Sequence, residues 1–138
     1  MPTQKEKPTG FSVITVPVAK PRMPNKTKFG KVAEKYWAYK DQLKHAAGLE
    51  GYKPSPRLHM LFEMPMPPSW SKRKKFEMRG KPHQQVPDID NLVKGVMDAL
   101  FDNDSEVYEI ASAKIWSEQG KVYVYDLEAT DFSIGVPQ

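Results

Sequence analysis

Four charged side chains between residues 88 and 104 have the types and spacing that metal-dependent phosphate chemistry requires. Asp88 and Asp90 stand at the predicted start of a helix, and Lys94 follows one turn later. Asp104 lies just past the predicted end of that helix. Carboxylate oxygens are the usual ligands of Mg²⁺ and Mn²⁺, and a lysine stabilises negative charge on a phosphate. These residues predict a catalytic site for phosphodiester hydrolysis, with the three aspartates as metal ligands.

The same residues also have ordinary structural explanations. An aspartate before a helix is commonly an N-cap, although a cap needs one carboxylate and the sequence offers two. The four-residue spacing of Asp90 and Lys94 is that of a simple ion pair on a helix surface. We expect Asn91 to orient Asp88 or Asp90 without binding the metal itself. Asp98, four residues after Lys94, is expected to pair with that lysine rather than to bind metal.

A basic segment precedes the carboxylates by about a dozen residues. Because prolines and glycines are frequent between residues 65 and 86, we expect a long irregular loop there. Its cationic and aromatic side chains suit phosphate contact and stacking on unpaired bases, although such a run can simply be solvated. A second basic segment, residues 20–31, is expected to contact flanking DNA. The residues predicted to bind DNA in the long loop are Trp70, Lys72, Arg73, Lys74, Lys75, Arg79, Lys81 and His83.

The distribution of charge supports a polyanionic partner. Residues 1–87 contain 18 Lys/Arg and 6 Asp/Glu, whereas residues 88–138 contain 3 and 11, within a net charge of +4. The basic half attracts a polyanion, and the acidic half repels it unless cations neutralise the carboxylates.

Several classes of function receive no support from the sequence. The chain has no cysteine, which excludes disulfides, cysteine-zinc sites and thiol nucleophiles. Neither a phosphate-binding glycine loop nor a serine nucleophile motif is present, so no nucleotide cofactor is expected. Without a membrane-length apolar run or a signal-peptide pattern, we expect no membrane partner and a cytoplasmic location in a bacterial or phage-infected cell.

Hydrophobic patterning predicts a single domain over residues 1–138 with flexible tails at 1–10 and 131–138. The expected fold class is α+β: one mixed β-sheet with two helices packed on it, in the order β-α-β-loop-α-β-β. A turn at residues 118–120 is expected to join the last two strands as a hairpin. The strands are predicted at 11–18, 57–64, 107–116 and 121–130, and the helices at 31–49 and 90–101. The buried stripe predicted for the first helix is Val32, Tyr36, Tyr39, Leu43 and Ala47.

The motif around the carboxylates closely resembles the RusA family of Holliday junction resolvases, and the resemblance covers roughly residues 58–130. The residues that carry it are Asp88-x-Asp90-Asn91-Leu92-x-Lys94-x-x-x-Asp98-x-Leu100 and then Asn103-Asp104-x-x-Val107. Two upstream stretches resemble the phage-type branch of the family, namely Trp70-Ser71-Lys72-Arg73-Lys74-Lys75 and Gly80-Lys81-Pro82-His83.

The resemblance implies a small homodimer that cuts four-way DNA junctions with a divalent metal, Mg²⁺ or alternatively Mn²⁺. It assigns the three catalytic aspartates to Asp88, Asp90 and Asp104, and the functional lysine to Lys94. Many family members have two acidic residues at the third position, and here the first of them is Asn103. Asp104 is then the matching ligand.

Two other classes of function are consistent with the same residues. The protein could be a non-catalytic DNA-junction-binding module whose acidic cluster is structural. It could also be an interaction protein whose charged faces pair with a protein partner. A helix of roughly 16 Å separates Asp90 from the segment that carries Asp104. The sequence therefore leaves open whether Asp104 joins Asp88 and Asp90 within one chain or across a dimer.

Overall fold

The structure, a computed structural model, describes residues 9–21 and 30–127, and the predicted tails lie almost wholly outside these residues. Within them, no helix has the length and apolar character needed to cross a bilayer. The strands are β1 (Gly10–Val13), β2 (Arg57–Pro65), β3 (Glu109–Ser117) and β4 (Lys121–Asp126). The helices are α1 (Lys31–Glu50), α2 (Lys72–Met78) and α3 (Ile89–Leu100), with a 3₁₀ turn at Asp104–Glu106.

The four strands form one mixed sheet in the order β1-β4-β2-β3, which confirms the predicted α+β class. The predicted hairpin between β3 and β4 is wrong. β2 lies between these two strands, parallel to β3 and antiparallel to β4. The physical reason is that β2 alternates deeply buried residues, Leu58, Met60 and Phe62, along a central strand that needs a neighbour on each side. The three residues at 118–120 therefore cross the end of β2.

One face of the sheet carries the core. Inward side chains of β2 and β4, including Phe62, Val122 and Val124, pack in one cluster with buried residues of α1 and α3. The stripe of α1 is confirmed at Tyr36, Tyr39, Leu43 and Ala47. Val32 is exposed, and Ala33 takes the expected place in the stripe. Ala33 precedes Tyr36 by three residues, so it lies on the buried face of the helix.

The segment of residues 66–86, called here the basic extension, is not the irregular loop that its prolines predict. It contains α2, whose N-cap Ser71 accepts a hydrogen bond from the Lys74 backbone at 3.1 Å. After α2 the chain pairs with the edge of β3. Gly80 N donates to Trp116 O at 2.8 Å, and His83 N donates to Lys114 O at 3.0 Å. The extension therefore covers an edge of the sheet, and its backbone polar groups are paired there.

We predict that the crossover between β3 and β4 requires glycine at position 120. A Cβ there would lie 2.5 Å from Val16 Cα and 2.7 Å from Thr15 O, which are backbone atoms. Gly120→Ala should lower the free energy of unfolding by about 1–3 kcal/mol, measured by denaturant titration. Gly48→Ala is the matched control, because a Cβ in that position of α1 meets nothing within 4 Å. The control should gain up to about 1 kcal/mol from helix propensity, and equal stability of both variants would contradict the described crossover.

Candidate active site

One open cavity of about 610 Å³ brings together the residues to which the sequence assigned chemistry. All three predicted metal ligands and the predicted catalytic lysine line it. Its lining residues are Lys20, Pro21, Asp88, Asp90, Asn91, Lys94 and Asp104. Lys20 and Pro21 are additions that the motif did not include, because they come from a segment about 70 residues earlier in the chain.

The two faces of α3 determine which side chains reach the cavity. Leu92, Val96 and Ala99 are buried in the core and fix the rotation of the helix. Asp90 and Lys94, four residues apart, remain exposed on another side of it. The apolar periodicity of α3 is therefore what directs the acidic and basic side chains away from the core and into the cavity wall.

Asp88 occupies the N-cap position of α3, yet its side chain makes no capping hydrogen bond. Only its backbone carbonyl serves the helix start, accepting from Asn91 N at 3.1 Å and Leu92 N at 3.2 Å. Asp88 is thus the N-cap residue by position, but capping leaves its carboxylate without a hydrogen bond to the helix. The positive partial charge of the helix start favours anionic groups at this place.

Asp104 reaches the cavity from the 3₁₀ turn that follows α3. Asn103 caps this turn, since its Oδ1 accepts from Ser105 N at 3.1 Å and from Ser105 Oγ at 2.7 Å. The asparagine that departs from the family pattern therefore has a structural task. Asp104 lines the same cavity as Asp88 and Asp90 of its own chain. The fold therefore permits the three aspartates to act together within one chain.

The three carboxylates share the cavity without converging on one point. In the part of the chain that the structure describes, no three His, Cys, Asp or Glu side chains stand close enough to hold one ion together. The donor type nevertheless fits a hard divalent cation, which takes oxygen ligands. Mg²⁺ is commonly held by one or two carboxylates, retained waters and substrate phosphate oxygens, so a closed cage of three aspartates is not required.

Lys114 of β3 supports the start of α3, and sequence reasoning missed it. Its Nζ donates to the carbonyl of Pro87 at 2.6 Å and to the carbonyl of Gln85. These contacts fix the chain immediately before Asp88, where the Val86–Pro87 peptide bond is cis. The available signal was that Lys114 is one of only three Lys/Arg residues after position 87.

The prediction that Asp98 pairs with Lys94 is wrong. Packing of α1 against α3 brings closer partners: Asp98 Oδ2 accepts from Tyr36 OH and from Lys40 Nζ, both at 2.8 Å. Lys20 Nζ lies 4.0 Å from the other carboxylate oxygen. Burial raises the pKa of Asp98, but the hydrogen bonds from Lys40 and Tyr36 and the two lysine charges outweigh burial and hold it below its ordinary value.

Two residues predicted to contact DNA instead anchor the basic extension. The Trp70 ring packs on Trp116 with centroids 4.7 Å apart, and Lys74 Nζ lies 4.4 Å from the Trp70 centroid. His83 is only 6% exposed and packs on the other ring of this cluster, 4.3 Å from Trp116. Burial, with the charge of Lys114, lowers the pKa of His83. The ring is enclosed and favours the neutral form, so the predicted phosphate contact of His83 receives no support from its surroundings.

The remaining predicted DNA contacts are placed where a polyanion can reach them. Lys72, Arg73, Lys74, Arg79 and Lys81 are exposed, and Lys75 is half-buried. Arg73 pairs with Glu77 and Arg79 with Glu118, both on the surface. Phe76 of α2 is 77% exposed among these cations, and it takes the place of Trp70 as the accessible aromatic side chain of the extension.

We predict that Lys114 positions the active site through the chain before Asp88. Lys114→Met removes the donor to the two carbonyls, so the start of α3 shifts and the phosphodiester cleavage rate falls roughly 10- to 100-fold, as is typical of residues that support a ligand. Lys121→Met is the matched control, because Lys121 lies over the Tyr123 ring outside the cavity. Single-turnover assays on junction DNA measure both variants. A Lys114→Met rate equal to that of the control would contradict the positioning role.

Comparison with known families agrees with the geometry of the cavity. A family model described as Endodeoxyribonuclease RusA matches residues 15–125. The match includes every residue that lines the cavity, as well as the basic extension and strands β2 to β4 in most of their length. A search of curated proteins finds no match to the chain. Since the family model spans well over half of the 138 residues, the resemblance seen in the sequence is confirmed: the chain belongs to the RusA family of endodeoxyribonucleases.

Proposed function

We propose that this protein is a Holliday junction resolvase that cuts four-way DNA junctions by divalent-metal-dependent hydrolysis, in DNA recombination and repair. Family membership supplies the reaction class, an endodeoxyribonuclease acting on branched DNA. The observation that carries the proposal is the single cavity lined by Asp88, Asp90, Asp104 and Lys94. It combines oxygen ligands for a cation with a cation for the phosphate, which phosphodiester hydrolysis needs.

The partners of the carboxylates support a chemical rather than a structural role for them. Asp98 shows what a structural carboxylate looks like in this fold, with a tyrosine and a lysine hydrogen-bonded to it. By contrast, among the described residues no ion pair within 4.0 Å involves Asp88, Asp90 or Asp104. Carboxylates that have no cationic partner repel a phosphate unless a bound cation lies between them. This argues against the alternative of a DNA-binding module with a structural acidic cluster.

In the proposed mechanism the carboxylates of Asp88, Asp90 and Asp104 would hold Mg²⁺, with Mn²⁺ as the alternative, together with water and substrate oxygens. When bound, this cation supplies Lewis acidity to the scissile phosphate and lowers the pKa of a water nucleophile. Lys94 contacts a non-bridging phosphate oxygen and stabilises the charge that develops there. Asn91 lies on the same wall, and Lys114 keeps the start of α3 in place.

DNA binding is assigned to a different part of the molecule. The exposed cations of the basic extension contact the phosphate backbone on either side of the cut, and Phe76 is available to stack on unpaired bases. We propose that the protein acts as a homodimer. A two-fold dimer has two cavities, which matches the paired nicks needed on a junction with two-fold-like symmetry.

The first test separates cleavage from binding. Asp90→Asn should reduce Mg²⁺-dependent cleavage of a synthetic four-way junction by about 100-fold or more, because it weakens the hold on the cation. Junction affinity measured in EDTA should stay the same or rise, since a negative charge near phosphate is removed. Asp102→Asn is the control, an exposed aspartate outside the cavity. Loss of binding in parallel with cleavage, in a folded variant, would contradict the assignment, and parent cleavage in EDTA would contradict the metal requirement.

The second test concerns the basic extension. Replacing Lys72, Arg73 and Lys74 together by glutamine should weaken binding to junction and duplex alike. The slope of log affinity against log salt should flatten by about one for each phosphate that the protein no longer neutralises. A control variant replaces three exposed lysines elsewhere, Lys35, Lys44 and Lys53. An unchanged slope for the first variant, or equal flattening in both, would show that α2 does not bind the DNA backbone.

A further inference from the structure

We propose that Lys20 is a second phosphate-binding cation of the active site, acting on the scissile phosphate beside Lys94; this inference rests on the proposed nuclease function. The sequence placed Lys20 in a basic segment that contacts flanking DNA. The structure instead gives it a place in the wall of the cavity, together with Pro21 and the three candidate metal ligands.

The segment that carries Lys20 is fastened to the start of α3. Lys20 N donates to Asn91 O at 3.0 Å, so the backbone of this distant segment is hydrogen-bonded to the residue that follows Asp90. The bond lies at the same end of the helix as Asp88 and Asp90. The position of Lys20 relative to Asp90 is therefore set by a specific backbone contact rather than by a loose loop.

Gly95 permits this close approach. A Cβ on Gly95 would lie 3.1 Å from Val18 O and 3.7 Å from Lys20 N. The missing side chain lets the segment lie directly against α3. Glycine in a helix interior costs about 1 kcal/mol relative to alanine. The fold therefore accepts a weaker helix at the point where the Lys20 segment crosses it.

The Lys20 ammonium makes one long and partly exposed ion pair, with Asp98. The nearest carboxylate oxygen belongs to Asp98 and lies 4.0 Å away, at the outer limit for an ion pair. Asp98 already accepts hydrogen bonds at 2.8 Å from Lys40 and Tyr36. The Lys20 side chain is 46% exposed. An exposed pair at that distance contributes little, so the positive charge of Lys20 is available to a phosphate in the cavity.

The sum of charges in the site indicates that a second lysine would help to bind a phosphodiester. With one divalent cation bound, the three carboxylates would leave one negative charge, and Lys94 would cancel it. A site of zero net charge adds no long-range attraction for a phosphodiester anion, on which further negative charge develops during the reaction. Lys20 supplies the positive charge that meets the anion and stabilises it as this charge grows.

The test compares Lys20→Gln, Lys20→Arg and the control Lys35→Gln, an exposed lysine on α1 outside the cavity. Under saturating protein with Mg²⁺, Lys20→Gln should cleave junction DNA roughly 10- to 100-fold more slowly. Lys20→Arg should recover part of the rate because it keeps the charge, and Lys35→Gln should match the parent. A parent-like rate for Lys20→Gln would overturn the proposal. A parent-like rate at saturation combined with weaker junction binding would make Lys20 a flanking contact only.

A second measurement does not depend on cleavage. Acylation of lysine amines, read by mass spectrometry, is compared with and without junction DNA in EDTA. Bound DNA should protect Lys20 together with Lys94, while Lys35 stays reactive. Protection of Lys94 without Lys20 would overturn the proposal even if the nuclease function holds. Joint protection in a protein that does not cut DNA would support the phosphate contact while the proposed nuclease function fails.

Discussion

The rest of the structure depends on the contacts that other segments make with β3, the strand at one edge of the sheet. Its backbone pairs with the returning chain after α2, through the hydrogen bonds of Gly80 and His83. Two residues before Trp116, the side chain of Lys114 holds the carbonyls just ahead of Asp88. One strand therefore fixes both the surface proposed to bind DNA and the start of the helix at which the proposed metal ligands Asp88 and Asp90 lie. A change in its register would displace both at once.

Carboxylates at different places along α3 illustrate how one helix serves structure and chemistry. Asp98 faces α1, where Lys40 and Tyr36 satisfy it and help to hold the helices together. Asp90 is exposed on the cavity wall and has no ion-pair partner among the described residues. The buried face of the helix supplies the rigidity that a metal-binding arrangement requires. In the proposed mechanism, lysines attract the DNA and carboxylates hold the cation that drives its hydrolysis.

What the sequence predicted well was local, and what it missed depends on contacts between distant segments. The apolar periodicity of α3 identified the helix and showed that Asp90 and Lys94 lie on its polar side, close to Asp88 at its start. The β3–β4 hairpin was wrong, because a three-residue connection fits a hairpin and a crossover equally well. The helix α2 was missed because it buries no side chain and depends on the Ser71 cap and on docking at the edge of β3. The cavity position of Lys20 and the contacts of Lys114 with the chain before Asp88 could not be predicted, since both arise from the packing of separate segments.

The most direct test of this account is to locate the bound cation by replacing Mg²⁺ with Fe²⁺. With ascorbate and peroxide, protein-bound Fe²⁺ cuts the polypeptide close to where it lies, and mass spectrometry maps the cuts. If the cavity holds the catalytic cation, cuts are expected near Asp88 to Asn91 and near Asp104, suppressed by excess Mg²⁺ and reduced in Asp90→Asn. Cuts confined to other parts of the chain, or cuts near the cavity that Mg²⁺ does not suppress, would contradict the claim that this cavity holds the catalytic cation.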